Sequence, residues 1–250
     1  MGKYFCDLHI HSCLSPCGDD ESTPANIAGM AAINGLNIAA LTDHNTSKNC
    51  PAFFRHAKTH GIVPVAGMEL TTSEDVHVIC LFRTLEDAME FDSFVDSHRI
   101  KVKNRPEIFG RQMIMNGDDE CCGEEEHLLI NATDLSIEDA WNEVTARGGA
   151  CYPAHIDRPS NGMVEILGTF PDTPEFTCYE LNDKESDEEY RKRFPKLRDL
   201  VKVVSSDAHY IWKIAEADFS LELDDEPYSS QKVRDSLIDL LSGKGGRADG

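Results

Sequence analysis

The stretch "YFCDLHIHSCLSPCGDD", residues 4–20, places two histidines one residue apart inside a strand-like run. Successive side chains of a strand point to opposite faces, so Asp7, His9 and His11 share one face while Leu8 and Ile10 take the other. Two imidazoles and a carboxylate buried together need partners, because an unsatisfied buried polar group costs about 1–3 kcal/mol. A divalent cation would satisfy both rings at once. Ordinary hydrogen bonds in a core would do the same, and an isolated H-x-H motif does not choose between them.

The wider chain does. "LTDHN" sets Asp43 and His44 after the run 38–41, and "AGMEL" sets Glu69 after 62–65. "PAHIDRP" carries His155 at the end of an apolar run, and "SSDAHY" carries Asp207 and His209 after 201–204. Parallel barrels assemble their active sites at the carboxyl ends of their strands. Independent core histidines at so many strand ends are improbable. His77 falls at the start of its run, but a strand folding back antiparallel through "LTTSED" brings it beside Glu69.

Apolar runs at 3–11, 37–44, 62–69, 76–82, 149–155, 176–181 and 202–207 read as strands. Helical periodicity occupies 24–34, 51–60, 85–98, 136–147, 187–200 and 231–241. Thr23 before Pro24, and Ser136 with Asp139, are start signals, while Gly35, Gly61 and Gly148 mark ends. The alternation predicts an α/β fold, a mostly parallel sheet with helices outside, and its seven strands predict a closed or nearly closed barrel. Segment 99–131 lacks a period and is too long for a plain connection. A hairpin arm is expected there, 109–115 pairing with 127–130 around the "NGDD" turn. The expected organisation is one barrel domain (1–98 and 132–242), the inserted arm (99–131) and a disordered tail (243–250).

Net charge of −21 argues against long nucleic acid, whose non-specific affinity comes from Lys and Arg releasing counterions. The nine cysteines are odd in number and scattered, which with no export-type segment before Tyr4 predicts a cytoplasmic protein. No apolar run approaches the roughly 20 residues needed to cross a bilayer, so no membrane partner is expected.

Taken together, "DLHIHS" (7–12), "TDHN" (42–45), "GMEL" (67–70), "AHIDRP" (154–159) and "SSDAH" (205–209) resemble the PHP family of metal-dependent phosphoesterases, named for polymerase-associated domains and histidinol phosphatases. The resemblance runs from about Tyr4 to Tyr210. It implies a distorted seven-stranded, TIM-like (βα)7 barrel holding three divalent ions in its mouth. By that resemblance His9, His11, Glu69 and Asp207 hold one ion. Glu69 bridges to a second, completed by His77 and His155. A third sits on His44, His209 and an acid of the first loop. In many relatives that loop ligand is a His or Asp nearer the H-x-H. Here Asp19 is the best match counted back from Pro24, with Asp20, Cys13 and Cys17 as alternatives.

Mixed imidazole and carboxylate ligands suit Zn, Mn or Fe better than Mg or Ca. Three divalent ions would make the pocket cationic inside an anionic protein and draw in a small phosphate. Metal-activated hydroxide would then attack phosphorus. The residues expected to carry catalysis are Glu69, Asp207, His209 and Arg158, the last as a guanidinium clamp on phosphate or else in a plain salt bridge. Asp7 and Asp43 are expected to fix imidazole orientation. His56, His60, His98 and His127 read as surface residues, and the adjacent Cys121 and Cys122 as unable to chelate one ion together.

The leading expectation is hydrolysis of a small phosphomonoester such as a nucleotide, nucleoside bisphosphate or histidinol phosphate. An exonuclease on short single strands would need a cationic or aromatic groove, and Lys101, Lys103, Arg105 and Arg111 in the arm form the only modest basic cluster. A non-catalytic metal-binding accessory domain would be expected to lack ligands.

Overall fold

The computed structural model describes residues 1–244. In chain order its elements begin with β1 (Gly2–Ile10), α1 (Pro24–Ile33), β2 (Ile38–Leu41), α2 (Cys50–Thr59), β3 (Val63–Thr71), β4 (His77–Phe82) and α3 (Leu85–His98). The next group is α4 (Pro106–Phe109), β5 (Met113–Met115), β6 (Cys121–Glu124), α5 (Ile137–Ala146), β7 (Ala150–Pro153) and α6 (Met163–Leu167). The chain continues through β8 (Cys178–Leu181), α7 (Asp187–Arg193), β9 (Val201–Val204), β10 (Ser220–Leu223) and α8 (Ser230–Leu241). No helix among the described residues is long and apolar enough to cross a membrane.

Six strands form one curled sheet in the order β10-β1-β2-β3-β4-β7, with β1, β2 and β3 mutually parallel. The expected fold-back is present: β4 runs antiparallel to β3 with His77 opposite Thr71. Gly67 permits that pairing, since a Cβ there would lie 2.3 Å from the Cys80 carbonyl oxygen. The α/β class therefore stands, but the seven expected strands do not share one ladder. β8 and β9 pair only with each other, and a strand absent from the sequence reading, β10, lies antiparallel on the outer half of β1. The two sheets meet through isolated links: Ile156 N–H donates to the Glu180 carbonyl (2.9 Å), and His11 N–H to that of Ala208 (2.9 Å).

Strand residues alternate between two cores. Ala39, Leu41, Met68, Val78 and Cys80 pack toward α1, α2, α3 and α5. Ile38, Ala40, Val65, Ile79 and Tyr152 pack on the other side, closed by Val233, Leu237, Ile238 and Leu241 of α8. Each buried Val, Leu, Ile or Met among them gains roughly 1.5–3 kcal/mol over exposure, and each alanine less. Helix starts follow the signals: the Thr23 hydroxyl accepts from Asn26 N–H with Pro24 at the first position, and Ser136 with Asp139 forms a capping box. The expected helix 187–200 is broken. α7 stops at Arg193, and a 3-10 turn follows from Pro195, whose ring removes a backbone donor.

The arm also differs from expectation. β5 pairs with β6, not with 127–130, because the tight turn at Asn116–Glu120 brings Cys121–Glu124 alongside first. The segment lies against the first loop and the strand ends: Met113 N–H donates to the Cys13 carbonyl, and Asn45 Nδ2 to those of Leu129 and Asn131. Of the expected tail, residues 245–250 lie outside the described residues.

Candidate metal centre

The ends of β1, β2, β3 and β7, the start of β4 and the loop after β9 converge around one carboxylate. Glu69 Oε1 lies 2.7 Å from His77 Nδ1, 2.9 Å from His155 Nε2 and 3.4 Å from His9 Nε2. Its Oε2 lies 2.9 Å from His44 Nδ1 and 3.3 Å from His11 Nε2. Asp207 Oδ1 is 3.4 Å from His9 Nε2 and 3.2 Å from His11 Nε2. His209 stacks on His11 with ring centroids 4.1 Å apart. Three donor groups lie close enough to hold an ion: His9, His11, Glu69 and Asp207; His44, Glu69 and His77; His11, His44 and His209.

The inward nitrogens are selected by what holds the outward ones. His9 Nδ1–H donates to Glu180 Oε1 (2.8 Å), leaving Nε2 facing the cluster. His11 Nδ1–H donates to the Ser15 hydroxyl (2.9 Å), which also accepts from His44 N–H (3.2 Å) and passes its own proton to Asp43 Oδ1 (2.7 Å). His209 Nδ1–H donates to the Asp207 carbonyl (2.9 Å). The result is that His9 Nε2 and His11 Nε2 face each other at 3.0 Å, two basic nitrogens between which at most one proton fits. Despite these short separations, His44 Nδ1, Glu69 Oε2, His155 Nδ1 and Asp207 Oδ1 are buried without a well-aligned hydrogen bond. Closely spaced buried imidazoles and carboxylates with unsatisfied atoms are what a divalent cation relieves, so these residues fit such ions.

The buried charges also act strongly on one another. Burial alone would lower the His9 imidazole, but Glu180, Glu69 and Asp207 hold it well above the ordinary range. Burial likewise opposes a charged His11, which Asp207 and Glu69 nevertheless raise to about 9. Burial lowers His44 to about 4 and His209 to about 3. Against burial, the imidazoles of His77, His9 and His44 keep the Glu69 carboxyl well below its usual range. His155 (φ 24°) and Asp207 (φ 50°) occupy the left-handed region, a cost of roughly 1–3 kcal/mol each that the surrounding packing must hold.

The PHP domain family matches this chain over residues 7–225, a span that contains every one of these donors. The chain belongs to the PHP domain family. Two solved structures share the PHP fold at low identity. The lesion-specific endonuclease Q of Pyrococcus furiosus superposes with a TM-score of 0.64 at 17% identity, over 98% of this chain and 57% of that one. A putative metal-dependent phosphoesterase from Bifidobacterium adolescentis superposes at 0.58 and 18%, over 97% of both chains. By sequence, 77 residues are 38% identical to the error-prone DNA polymerase of Symbiobacterium thermophilum, 31% of this chain and 7% of the polymerase. The chain spans less than half the length of the curated relatives it matches.

Within this PHP domain, His9, His11, His44, Glu69, His77, His155, Asp207 and His209 lie together. Asp19 does not. Its carboxylate turns back to accept from Glu21 N–H (2.8 Å), and the loop atom beside His44 Nε2 is Cys17 Sγ, 3.4 Å away. Asp7 touches no imidazole ring either. It accepts from Ser206 N–H and hydroxyl and from Ala215 N–H, so it ties β1 to the loop carrying Asp207. Asp43 does orient a ring, through Ser15. Arg158 Nη1 pairs with Asp207 Oδ2 on the wall of a cavity of about 670 Å³ that also exposes His44, His77 and His209. Glu180 was missed, although an acid inside the apolar run 176–181 is the same kind of signal as Asp7.

Proposed function

We propose that the protein is a phosphatase acting on a small phosphomonoester through three divalent ions, Zn, Mn or Fe. His9, His11, Glu69 and Asp207 would hold the first, Glu69, His77 and His155 the second, and His44 and His209 the third together with a first-loop residue. Such ions, when bound, lower the pKa of coordinated water from about 15.7 toward about 7 and neutralise phosphate charge. The protein supplies the rest. Glu180, Ser15 and the Asp207 carbonyl fix which imidazole nitrogen faces inward. Arg158, already on the wall and 40% exposed at its side chain, offers two parallel N–H groups to phosphate oxygens.

The observation that carries this reading is the convergence of buried imidazole and carboxylate donors around Glu69, with His44, His77, Asp207 and His209 opening onto one cavity beside the Arg158 guanidinium. A complete donor set argues against a purely accessory role. Nine free cysteines support a reducing compartment.

A nuclease acting on short single strands is the second reading, favoured by Tyr210 and Trp212, whose rings pair at 4.9 Å near Lys213 on the cavity rim. Against it, most arm cations are already neutralised: Lys101 by Asp96 (2.6 Å), Arg105 by Glu107 (3.4 Å) and Arg111 by Glu124 (2.6 Å). The test is bound-metal analysis followed by turnover on a panel of phosphomonoesters and short oligonucleotides, with Glu69→Gln alongside. The variant should lose two ions and most turnover while its circular dichroism is preserved. Full metal content and rate in that variant would refute the assignment.

A further inference from the structure

We propose that Cys17 is the first-loop ligand of the third ion, giving it a thiolate beside the imidazoles of His44 and His209. This rests on the metal reading above and deepens it.

The loop between β1 and α1 is folded to present this sulfur. Ser15 N–H donates to the Ser12 carbonyl (3.0 Å) and Gly18 N–H to the Ser15 carbonyl (2.8 Å), two successive turns. Gly18 is needed for them, since a Cβ there would lie 2.3 Å from the Ser12 oxygen. The loop is then pinned at Asp19, whose N–H donates to the His209 carbonyl (3.0 Å), and at Cys13, whose N–H donates to that of Ser22 (2.8 Å). These contacts set Cys17 Sγ 3.4 Å from His44 Nε2, on the wall of the cavity that His44, Asp207 and His209 line.

A second observation concerns the rings themselves. His11, His44 and His209, each from a different segment of the chain, bring donor nitrogens within 4.8 Å of one another beside that sulfur. The other loop candidates are placed differently. Cys13 is buried against Ala52, Met113 and Met115, Asp19 caps its own turn, and Asp20 does not line the cavity that Cys17 does. On binding, the S–H bond breaks, a sulfur–metal bond forms and the proton leaves to solvent, with no change of oxidation state. A soft sulfur donor biases that position toward Zn or Fe over Mn or Mg.

Cobalt(II) loading of the full chain tests it. Wild-type protein should show a near-ultraviolet thiolate-to-cobalt charge-transfer band, absent from Cys17→Ser. In that variant the weakest-held ion should bind worse by at least the roughly tenfold that losing an outer hydrogen-bond partner costs. Cys17→Asp should regain the ion without the band. Site-resolved mass spectrometry should show bound zinc protecting Cys17, but not Cys121 or Cys122, from alkylation. A wild type lacking the band, or a Cys17→Ser protein with unchanged cobalt affinity and band, overturns the proposal. If Glu69→Gln still costs two ions in that case, the parent reading survives; if wild type binds no ions at all, both fall.

Discussion

Removing one hydroxyl, Ser15→Ala, should damage both stability and metal binding. Ser15 is fully buried, and its oxygen is the acceptor for His11 Nδ1–H (2.9 Å) and His44 N–H (3.2 Å) while donating to Asp43 (2.7 Å). Alanine strands two buried donors. At about 1–3 kcal/mol for each orphan, the pair costs about 4 kcal/mol. For a chain of this size each kcal/mol lowers the melting temperature by about 2–4 °C, so metal-free protein should melt about 12 °C lower. His11 also loses the contact that keeps its proton on Nδ1, and loss of such a partner lowers metal affinity by roughly 10–100-fold. Thermal melts of metal-free protein and a chelator competition read the two effects separately. A variant melting within about 2 °C of wild type with unchanged affinity would show that the hydroxyl neither satisfies these donors nor sets the tautomer.

Arg158→Ala should lower kcat/KM on a phosphomonoester by about 10–100-fold through KM, the equivalent of one charged hydrogen bond; an unchanged KM in steady-state kinetics removes Arg158 from substrate binding. Gly67→Ala forces a methyl against the Cys80 carbonyl and should cost about 3 kcal/mol or more, read as loss of soluble expression or a greatly lowered melt. Glu125 is held against burial by Lys48 and Arg99 below the usual carboxylate range. A depressed folded value contributes stability above the unfolded value near about 4.3 and loses it as pH falls through the folded one. The melting gap between wild type and Glu125→Gln should therefore be constant from neutral pH to about pH 5 and shrink below about pH 4; a gap that persists at pH 3 contradicts the ion-pair account.

The strand ends were legible because one signal, a charged or imidazole residue closing an apolar run, repeats at separate places in the chain. Period-two alternation fails in β1, where the pairing with β2 shifts register between Asp7 and Ile10 and sends Leu8 and Ile10 into different cores; the partners of Asp7 depend on the loop after β9 crossing over β1. The Cys17 loop was ambiguous for a related reason: its turns depend on carbonyls at Ser12 and His209, and the latter is far away in the sequence. Glu180 hid inside a run that otherwise read as core. β10 is a four-residue strand with one exposed position, too short and too mixed to stand out from a loop. The separation of β8 and β9 from the main sheet is set by packing between strands, which no local pattern encodes.

The arm does more than stand beside the centre. Asp119 accepts from the Thr23 hydroxyl (2.7 Å) and from Ala25 N–H (3.1 Å), so a residue of the insert crowns the helix that follows the Cys17 loop. Ile130 of the same insert forms part of the cavity wall. The insert therefore buttresses the first loop from outside and shapes the cavity without contributing a donor to the cluster, so a change in it would reach the centre only through the loop's posture.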